Sequence, residues 1–380
     1  MPRPRICIIS NKNPVYSETF IRAHIERLPA EVIFLHGKTF PQYDERDRAI
    51  IPNHIQNRLI KKVAPKLFNV PPHFLEARQF KKILQQNQVQ AVLAEYGHMG
   101  VTVRKTCQQL GIPLIVHFHG YDAYDYNILN NQGKDYPLLF QQAVAIVAVS
   151  KDMQQQLIQL GAPEEKVYYN PCGVDLDLFK IAQPDQNPPL FLAVGRFVDK
   201  KAPFLTILAF KSVADKIPQA RLQMIGEGQL LETCKRLVQS LSLSEQVEFL
   251  GACSHQEVAE AMQNVRAFVQ HSVKTSYGDS EGTPNGVLEA GASALPVIAT
   301  RHAGIKDVVI ENETGLLVDE GDIEGMSQLM LKVAEQPNLA SQLGKVARDR
   351  VQEQFCMNQS LSNLWNIIEQ QIQVHKVSKN

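Results

Sequence analysis

The sequence predicts a mixed α/β chain of two doubly wound domains of near-equal size, and three observations carry that expectation. Short apolar runs of strand length alternate with longer amphipathic segments along the whole chain, the pattern of parallel sheets covered by helices on both faces. The alternation occurs twice, on either side of a polar, proline-containing stretch at 182–189. A length of 380 residues also exceeds what one ordinary core organises.

In the first series, residues 6–9 read as a buried strand, 11–17 as a loop, and a helix begins near Glu18. Residues 32–35 are a second strand. Residues 55–88 read as helical and basic, interrupted at Pro65 and at Pro71-Pro72. Strands follow at 91–95, 113–117 and 145–149, with a helix to about Leu110 and another over 151–160. The segment 167–171 closes this half. In the second series the strands are 190–194, 220–225, 247–251, 267–270, 296–299 and 314–318. Helices fall at 203–216, 230–241, 255–263, 322–335 and 340–355. A final helix over about 358–373 carries Leu361, Leu364, Ile367 and Ile368 at helical spacing. The domains expected are 1–181 and 182–355, with 356–380 as a C-terminal helix returning to the first.

Apolar residues make up 44% of the chain and charged residues 21%, with a formal net charge of 0, so the whole chain is no polyanion binder. Charge is uneven: residues 1–180 carry an excess of about +5. Much of it lies in 55–85, where Arg58, Lys61, Lys62, Lys66, Arg78, Lys81 and Lys82 stand against Glu76 alone. That stretch fits a solvated helix face, or a patch for anionic lipid head groups or a phosphorylated acceptor. Six scattered cysteines form no C-x-x-C motif, which removes zinc-finger and thioredoxin-like readings and fits a reducing cytosol. The N-terminal run lacks the apolar core and cleavage site of a signal peptide, and no apolar run approaches a membrane span. A cytoplasmic location is expected, with any membrane contact peripheral, at the inner face of the plasma membrane.

The richest stretch is 278–300, which places Glu281 and Glu289 eight residues apart with Gly282, Pro284 and Gly286 between them. Thr283 fits an N-cap and Pro284 the first helical position. Val287, Leu288, Gly291 and Ala292 would form the buried side. The free N–H groups of such a helix start suit a phosphate. Glu281 precedes the start and Glu289 lies in the second turn, so both carboxylates could reach hydroxyls of one ligand. Two glutamates on a solvated surface are the alternative, which the surrounding glycines and the following strand disfavour. His119 ends a strand and should face the crevice at the strand ends. His117 shares its face; the pair could bind a metal, but no third ligand is evident nearby, and His117 reads better as a packed core histidine.

The order of these pieces resembles the GT-B glycosyltransferases of family 4, a retaining, nucleotide-sugar-dependent class. Its parts are Ser17-Glu18-Thr19-Phe20-Ile21, His119-Gly120-Tyr121-Asp122, Asn170-Pro171 with Gly173-Val174-Asp175, Val194-Gly195-Arg196-Phe197 with Lys200-Lys201, Gly226-Glu227-Gly228, Phe249-Leu250-Gly251 and the two spaced glutamates. The resemblance covers nearly the whole chain, and the Ser17–Ile21 piece is similar to bacterial exopolysaccharide enzymes of the colanic-acid type. The chain departs from the family at 11–16, which lacks a Gly-Gly loop, at His271, where proline is common, and at 303–307, where the family commonly reads Gly-Gly-x-Pro-Glu.

The resemblance implies two Rossmann-like domains facing across a cleft, closing over the donor to exclude water. It implies that Arg196 and Lys201 contact the diphosphate, with the helix start at Gly282, Pro284, Asn285, Gly286 and Val287. Glu281 would hold the donor sugar near the reacting carbon, Glu289 the nucleotide ribose, and His119 the sugar or reacting centre. Glu227 beside Gly226 fits a base pocket and a plain turn equally. Asp122 fits a loop-orienting role and a helix cap; Ser17 fits the cap of the first helix, and an acceptor contact as well. No cofactor or metal is expected beyond the nucleotide-diphosphate sugar. The expected acceptor is lipid-linked or an oligosaccharide, in cell-surface or exopolysaccharide synthesis, and no nucleic-acid partner is expected. The competing readings are a non-catalytic sugar-nucleotide-binding subunit of a membrane complex and a GT-B phosphorylase or epimerase.

Overall fold

The computed structural model describes residues 3–14, 18–51 and 73–377. Ser17 and the greater part of the basic stretch 55–85 lie outside the described residues. Two compact units divide the chain, one of residues 1–149, 153–170 and 361–380, the other of 150–152 and 171–360.

The first unit is built on strands β1 (Arg5–Ser10), β2 (Glu31–His36), β3 (Tyr43–Asp44), β4 (Ala91–Glu95), β5 (Leu114–Phe118), β6 (Ala145–Ala148) and β7 (Val167–Tyr169). Their order is β3-β2-β1-β4-β5-β6-β7. All described neighbours are parallel except the edge strand β3, which runs antiparallel to β2. β4, β5 and β6 are buried along their whole length, because helices cover both faces, and this is why they read as unbroken apolar runs. The strand order reverses between β1 and β4, so the carboxyl ends of these two strands frame the ligand crevice that such sheets form. The final helix, Met357–Val377, belongs to this unit from Leu361 onward, the return that the resemblance implies. Leu364, Ile368 and Ile372 are its buried stripe, and His375 meets the Gly111 carbonyl.

The second unit carries β8 (Leu190–Val194), β9 (Arg221–Ile225), β10 (Val247–Gly251), β11 (Ala267–Gln270), β12 (Val297–Thr300) and β13 (Gly315–Val318), in the parallel order β10-β9-β8-β11-β12-β13. Alternate residues of one strand serve opposite faces. Phe191 and Val269 join Phe210, Leu222 and Met330 on one side, while Leu192 and Phe268 join Val287, Leu288 and Leu295 on the other. Here the order reverses between β8 and β11. Residues 171–181 pack on this unit: Val174 N donates to Phe355 O at 2.9 Å, and Arg348 Nη1 donates to Phe179 O at 3.0 Å. No described helix is long and apolar enough to cross a membrane.

Among the described residues, strand and helix positions follow the sequence expectations within a few residues, but neither the edge strand β3 nor the short helix Ile305–Val308 was expected. The two-residue edge strand β3 is too short to leave an alternation in the sequence. The helix of the glutamate stretch begins at Asn285, with Pro284 in the cap position, rather than at Pro284 behind a Thr283 cap. The Thr283 hydroxyl is spent elsewhere, accepting from Cys172 N at 3.0 Å.

Candidate active site

In the second unit, the loops after β8 and β11 are the two at the reversal point, and they carry the predicted donor residues. The β8 loop turns through a 3-10 segment, Asp199–Lys201, and Val273 N donates to Lys200 O at 2.9 Å, which ties it to the loop after β11. Lys200 and Lys201 are not a solvated pair. Lys200 is buried, bonding Asp279 Oδ1 and the Ser280 carbonyl, each at 3.1 Å. Lys201 Nζ lies 3.2 Å from Glu281 Oε2, with both side chains largely buried. Burial lowers the Lys201 pKa more than Glu281 restores it.

Glu281 is 5% exposed. Burial pushes its pKa up, but the neighbouring cations, Lys201 foremost, outweigh burial and hold the carboxyl below its ordinary value. Its Oε1 is buried and has no hydrogen-bond partner among the described residues. The backbone of Glu281 is anchored too: its N–H donates to His302 Nε2 at 3.2 Å. An amide only donates, so Nε2 holds the lone pair and His302 carries its proton on Nδ1, directed to Glu320 Oε1 at 2.5 Å. Ser280 Oγ lies 3.0 Å from the same Nε2.

Glu289 sits in the second turn of the helix Asn285–Ala292, with His255 Nδ1 at 3.8 Å. Burial raises its pKa to about 7, against the pull of Lys201. One cation therefore serves two buried carboxylates of opposite character, one firmly ionised and one poised near neutrality. The helix start is seated by Gly286, whose Cβ position is closed by Phe268 and the Val194 carbonyl. Val287 N and Leu288 N already donate to Pro284 O at 3.0 and 3.1 Å, so the N–H groups of Asn285 and Gly286 are the ones a helix start leaves without an internal acceptor. Gly282 is buried, and the Gly304 backbone rests on its carbonyl oxygen, leaving no room for a side chain at 304.

Arg196 is exposed at the rim of a pocket lined also by Gly195, Lys201, Ile225 and His271. His271 stands where the family commonly has proline; its Nε2 accepts from Gly321 N at 2.8 Å, and burial lowers its pKa to about 4, so it is a neutral structural acceptor. Gly226 has φ 138° and backs onto the Gly195 carbonyl oxygen, so the loops after β8 and β9 lie backbone to backbone. Glu227 accepts from Phe197 N at 2.8 Å through its carbonyl, while its side chain is exposed.

The first unit gathers a second cluster at the β1/β4 reversal. His119 follows β5, and its Nε2 lies 2.7 Å from Glu95 Oε2. His24, on the helix Thr19–Arg27, places Nδ1 2.8 Å from the other Glu95 oxygen. His117 Nδ1 lies 3.1 Å from His119 Nε2, and the Phe20 ring stacks on His119 at 4.3 Å. His117 is 1% exposed, a buried histidine as expected, but the third donor beside the His-x-His pair exists: it is Glu95. Burial pushes the Glu95 pKa up, and His24 and His119 more than reverse it. Asp122 orients the loop. Its Oδ1 accepts from His119 N and Gly120 N at 3.0 Å each, and Oδ2 from Gly97 N at 2.9 Å.

Sequence reasoning missed Glu95, His24, His302 and Glu320. Glu95 had a signal, a carboxylate closing the apolar run Ala91–Ala94 with Tyr96 (φ 78°) and Gly97 after it. The pairing of His302 with Glu320 had none, since it depends on the ends of β12 and β13 lying side by side.

The chain is similar to known proteins over most of its length. The model of the glycosyl transferases group 1 matches residues 175–350, and that of glycosyltransferase family 4 matches residues 17–178. An amylovoran biosynthesis glycosyltransferase of Erwinia amylovora is 27% identical over 281 residues, 73% of this chain and 69% of the relative. A putative colanic acid biosynthesis glycosyltransferase of Escherichia coli is 27% identical over 277 residues, 71% and 68% of the two chains. Among solved structures, Anabaena HepE, in complex with UDP and glucose, superposes with a TM-score of 0.74 at 15% identity, covering 97% of this chain and 100% of that one. A sucrose-phosphate synthase from Thermosynechococcus elongatus gives 0.75 at 21% identity, covering 97% and 99%. These likenesses establish the fold.

Proposed function

For a chain that belongs to the GT-B glycosyltransferases, its halves matched by the group 1 and family 4 models, we propose retaining transfer of a sugar from a nucleotide diphosphate to a hydroxyl of a lipid-linked or oligosaccharide acceptor, in exopolysaccharide synthesis. The observation that carries this reading is the state of Glu281. It is buried and ionised, with one oxygen on Lys201 and the other unpartnered among the described residues, at the reversal point of a parallel sheet. A carboxylate so held is an acceptor for sugar hydroxyls, and Lys201 with Arg196 supplies the charge that a departing diphosphate needs. The first turn of the helix Asn285–Ala292 adds N–H donors at the phosphate. Glu289, one turn further on, takes the ribose hydroxyls.

His119, held by Glu95 and by the Asp122-oriented loop, contacts the donor sugar or reacting centre. The ion pair with Lys201 makes Glu281 a poor nucleophile, and a double displacement needs two carboxylates flanking the bond. Attack from the face of the leaving phosphate is therefore the favoured route, with that phosphate taking the acceptor proton. The exopolysaccharide setting is supported by the relatives named for amylovoran and colanic acid biosynthesis. A peripheral contact with anionic membrane is supported by Arg78 and Lys82, exposed on the helix Phe74–Gln86.

A thermal-shift panel of nucleotide-diphosphate sugars tests the reading. One donor should raise the melting temperature in proportion to its affinity, and Glu289→Ala should reduce that rise. No stabilisation by any member of the panel at saturation would defeat it.

A further inference from the structure

The geometry points to His302 and Glu320 as positioning residues that aim Glu281 by fixing the peptide unit before it, a role that rests on the sugar-transfer reading of Glu281. The peptide between Ser280 and Glu281 is held at both polar ends. Its carbonyl accepts from Lys200 Nζ at 3.1 Å, and its N–H donates to His302 Nε2 at 3.2 Å. The two side chains come from different loops, after β8 and after β12, and are 7% and 2% exposed. A peptide unit is planar, so gripping its C=O and its N–H together removes the rotation of that plane that would re-aim the Glu281 side chain. Lys201 meets the carboxylate itself, whereas His302 meets the backbone. Loss of the histidine grip would therefore leave the charge of Glu281 and change its direction.

Glu320 makes the grip possible. An imidazole accepts at Nε2 only while its proton sits on Nδ1. Glu320 Oε1, 2.5 Å from Nδ1, holds the proton there. The other Glu320 oxygen accepts from Lys274 N at 2.8 Å. One carboxylate–imidazole pair thus closes on both ends of the segment 274–281, at the Lys274 N–H and at the Glu281 N–H. Within the segment, Gly278 N donates to Thr275 O at 3.0 Å and Thr275 N to Asp279 O at 3.1 Å, so it is a compact turn that the pair carries as a unit. Ser280 Oγ, 3.0 Å from Nε2, adds a further contact at the same point. Groups that act on a reacting centre must be held within about 0.5 Å of their working place, and a displacement of about 1 Å costs about 100-fold in rate.

The test uses the full chain. Turnover is read as release of the nucleotide diphosphate from UDP-glucose, UDP-galactose and GDP-mannose, with Glu281→Gln measured alongside. His302→Leu and Glu320→Ala should lower kcat about 10- to 100-fold and change the donor KM less than about threefold, because the diphosphate and ribose contacts stay in place. His302→Gln keeps an acceptor for the Glu281 N–H and should stay within about fivefold of the unsubstituted kcat; a role in packing alone would make glutamine no better than leucine. Nitrogen NMR of histidine-labelled chain needs no donor: His302 should show the Nδ1–H tautomer and lose that fixed form in Glu320→Ala. If His302→Leu does not fold, the NMR result and Glu320→Ala, whose side chain is 37% exposed in the unsubstituted chain, decide the matter. With Glu281→Gln inactive, equal kcat losses in the leucine and glutamine variants, unchanged kcat in Glu320→Ala, or an Nε2–H tautomer overturns the positioning role alone. Unchanged turnover in Glu281→Gln, or release from none of the three donors, overturns it together with the reading it rests on.

Discussion

Glu289→Gln should abolish a specific loss of stability that the unsubstituted protein suffers as the pH rises. Glu289 is 8% exposed, and burial lifts its pKa from 4.5 to about 7. The sign follows from the raised value. Below about pH 4.5 the carboxyl is protonated in both folded and unfolded chains and contributes no difference. Between there and about pH 7 the unfolded chain has released the proton and the folded one retains it, so stability falls as the pH rises, and above that window the loss is complete. A shift of this size corresponds to about 3 kcal/mol. Glutamine has nearly the same shape and does not titrate. The assay is denaturant unfolding of both proteins from about pH 5 to about pH 8, reading the difference between them at each pH. Glu289→Gln should gain on the unsubstituted chain up to about pH 7 and then level off, a gain of about 2.5 kcal/mol between about pH 5 and about pH 8. A difference independent of pH would refute the reasoning, because it would mean that Glu289 is not desolvated in the folded chain.

Three further outcomes follow from the same geometry. Glu281→Gln keeps the shape but not the charge, so turnover should fall by at least about 100-fold while the fold survives with a lower melting temperature, because Lys201 loses its buried counter-charge; unchanged turnover would remove Glu281 from the chemistry. Arg196→Ala should raise the KM for the donor about 10- to 100-fold without loss of stability, since the side chain is exposed; an unaltered KM would take Arg196 off the diphosphate. Gly226→Ala places a Cβ on the Gly195 carbonyl oxygen at a φ of 138°, so thermal denaturation should reveal a loss of more than about 2 kcal/mol. A neutral result would mean that the loops after β8 and β9 separate easily.

Much of this fold was legible because parallel strands buried on both faces must be apolar throughout, as in Ala91–Ala94 and Ala267–Val269. The helices between them needed only one buried stripe. The donor side of the site was legible for a related reason. Its residues lie on the two loops at one strand-order reversal, and each loop carries its own local pattern of glycine, cation and carboxylate. What stayed hidden depends on register across the sheet. Glu95 and His117 become neighbours only because β4 and β5 pair residue for residue, and His302 meets Glu320 only because β12 lies beside β13. The start of the helix at Asn285 was misplaced by one residue for a similar reason, since the Thr283 hydroxyl serves an amide 111 positions away.

The central claim is that this chain consumes a nucleotide-diphosphate sugar through Glu281. Release of the nucleotide diphosphate from a panel of donors, with and without a lipid-linked or oligosaccharide acceptor, measures it directly. The account predicts release from one donor class by the unsubstituted protein, faster with acceptor, and nearly none by Glu281→Gln. Release by Glu281→Gln at the unsubstituted rate, or from no donor at all, would contradict it.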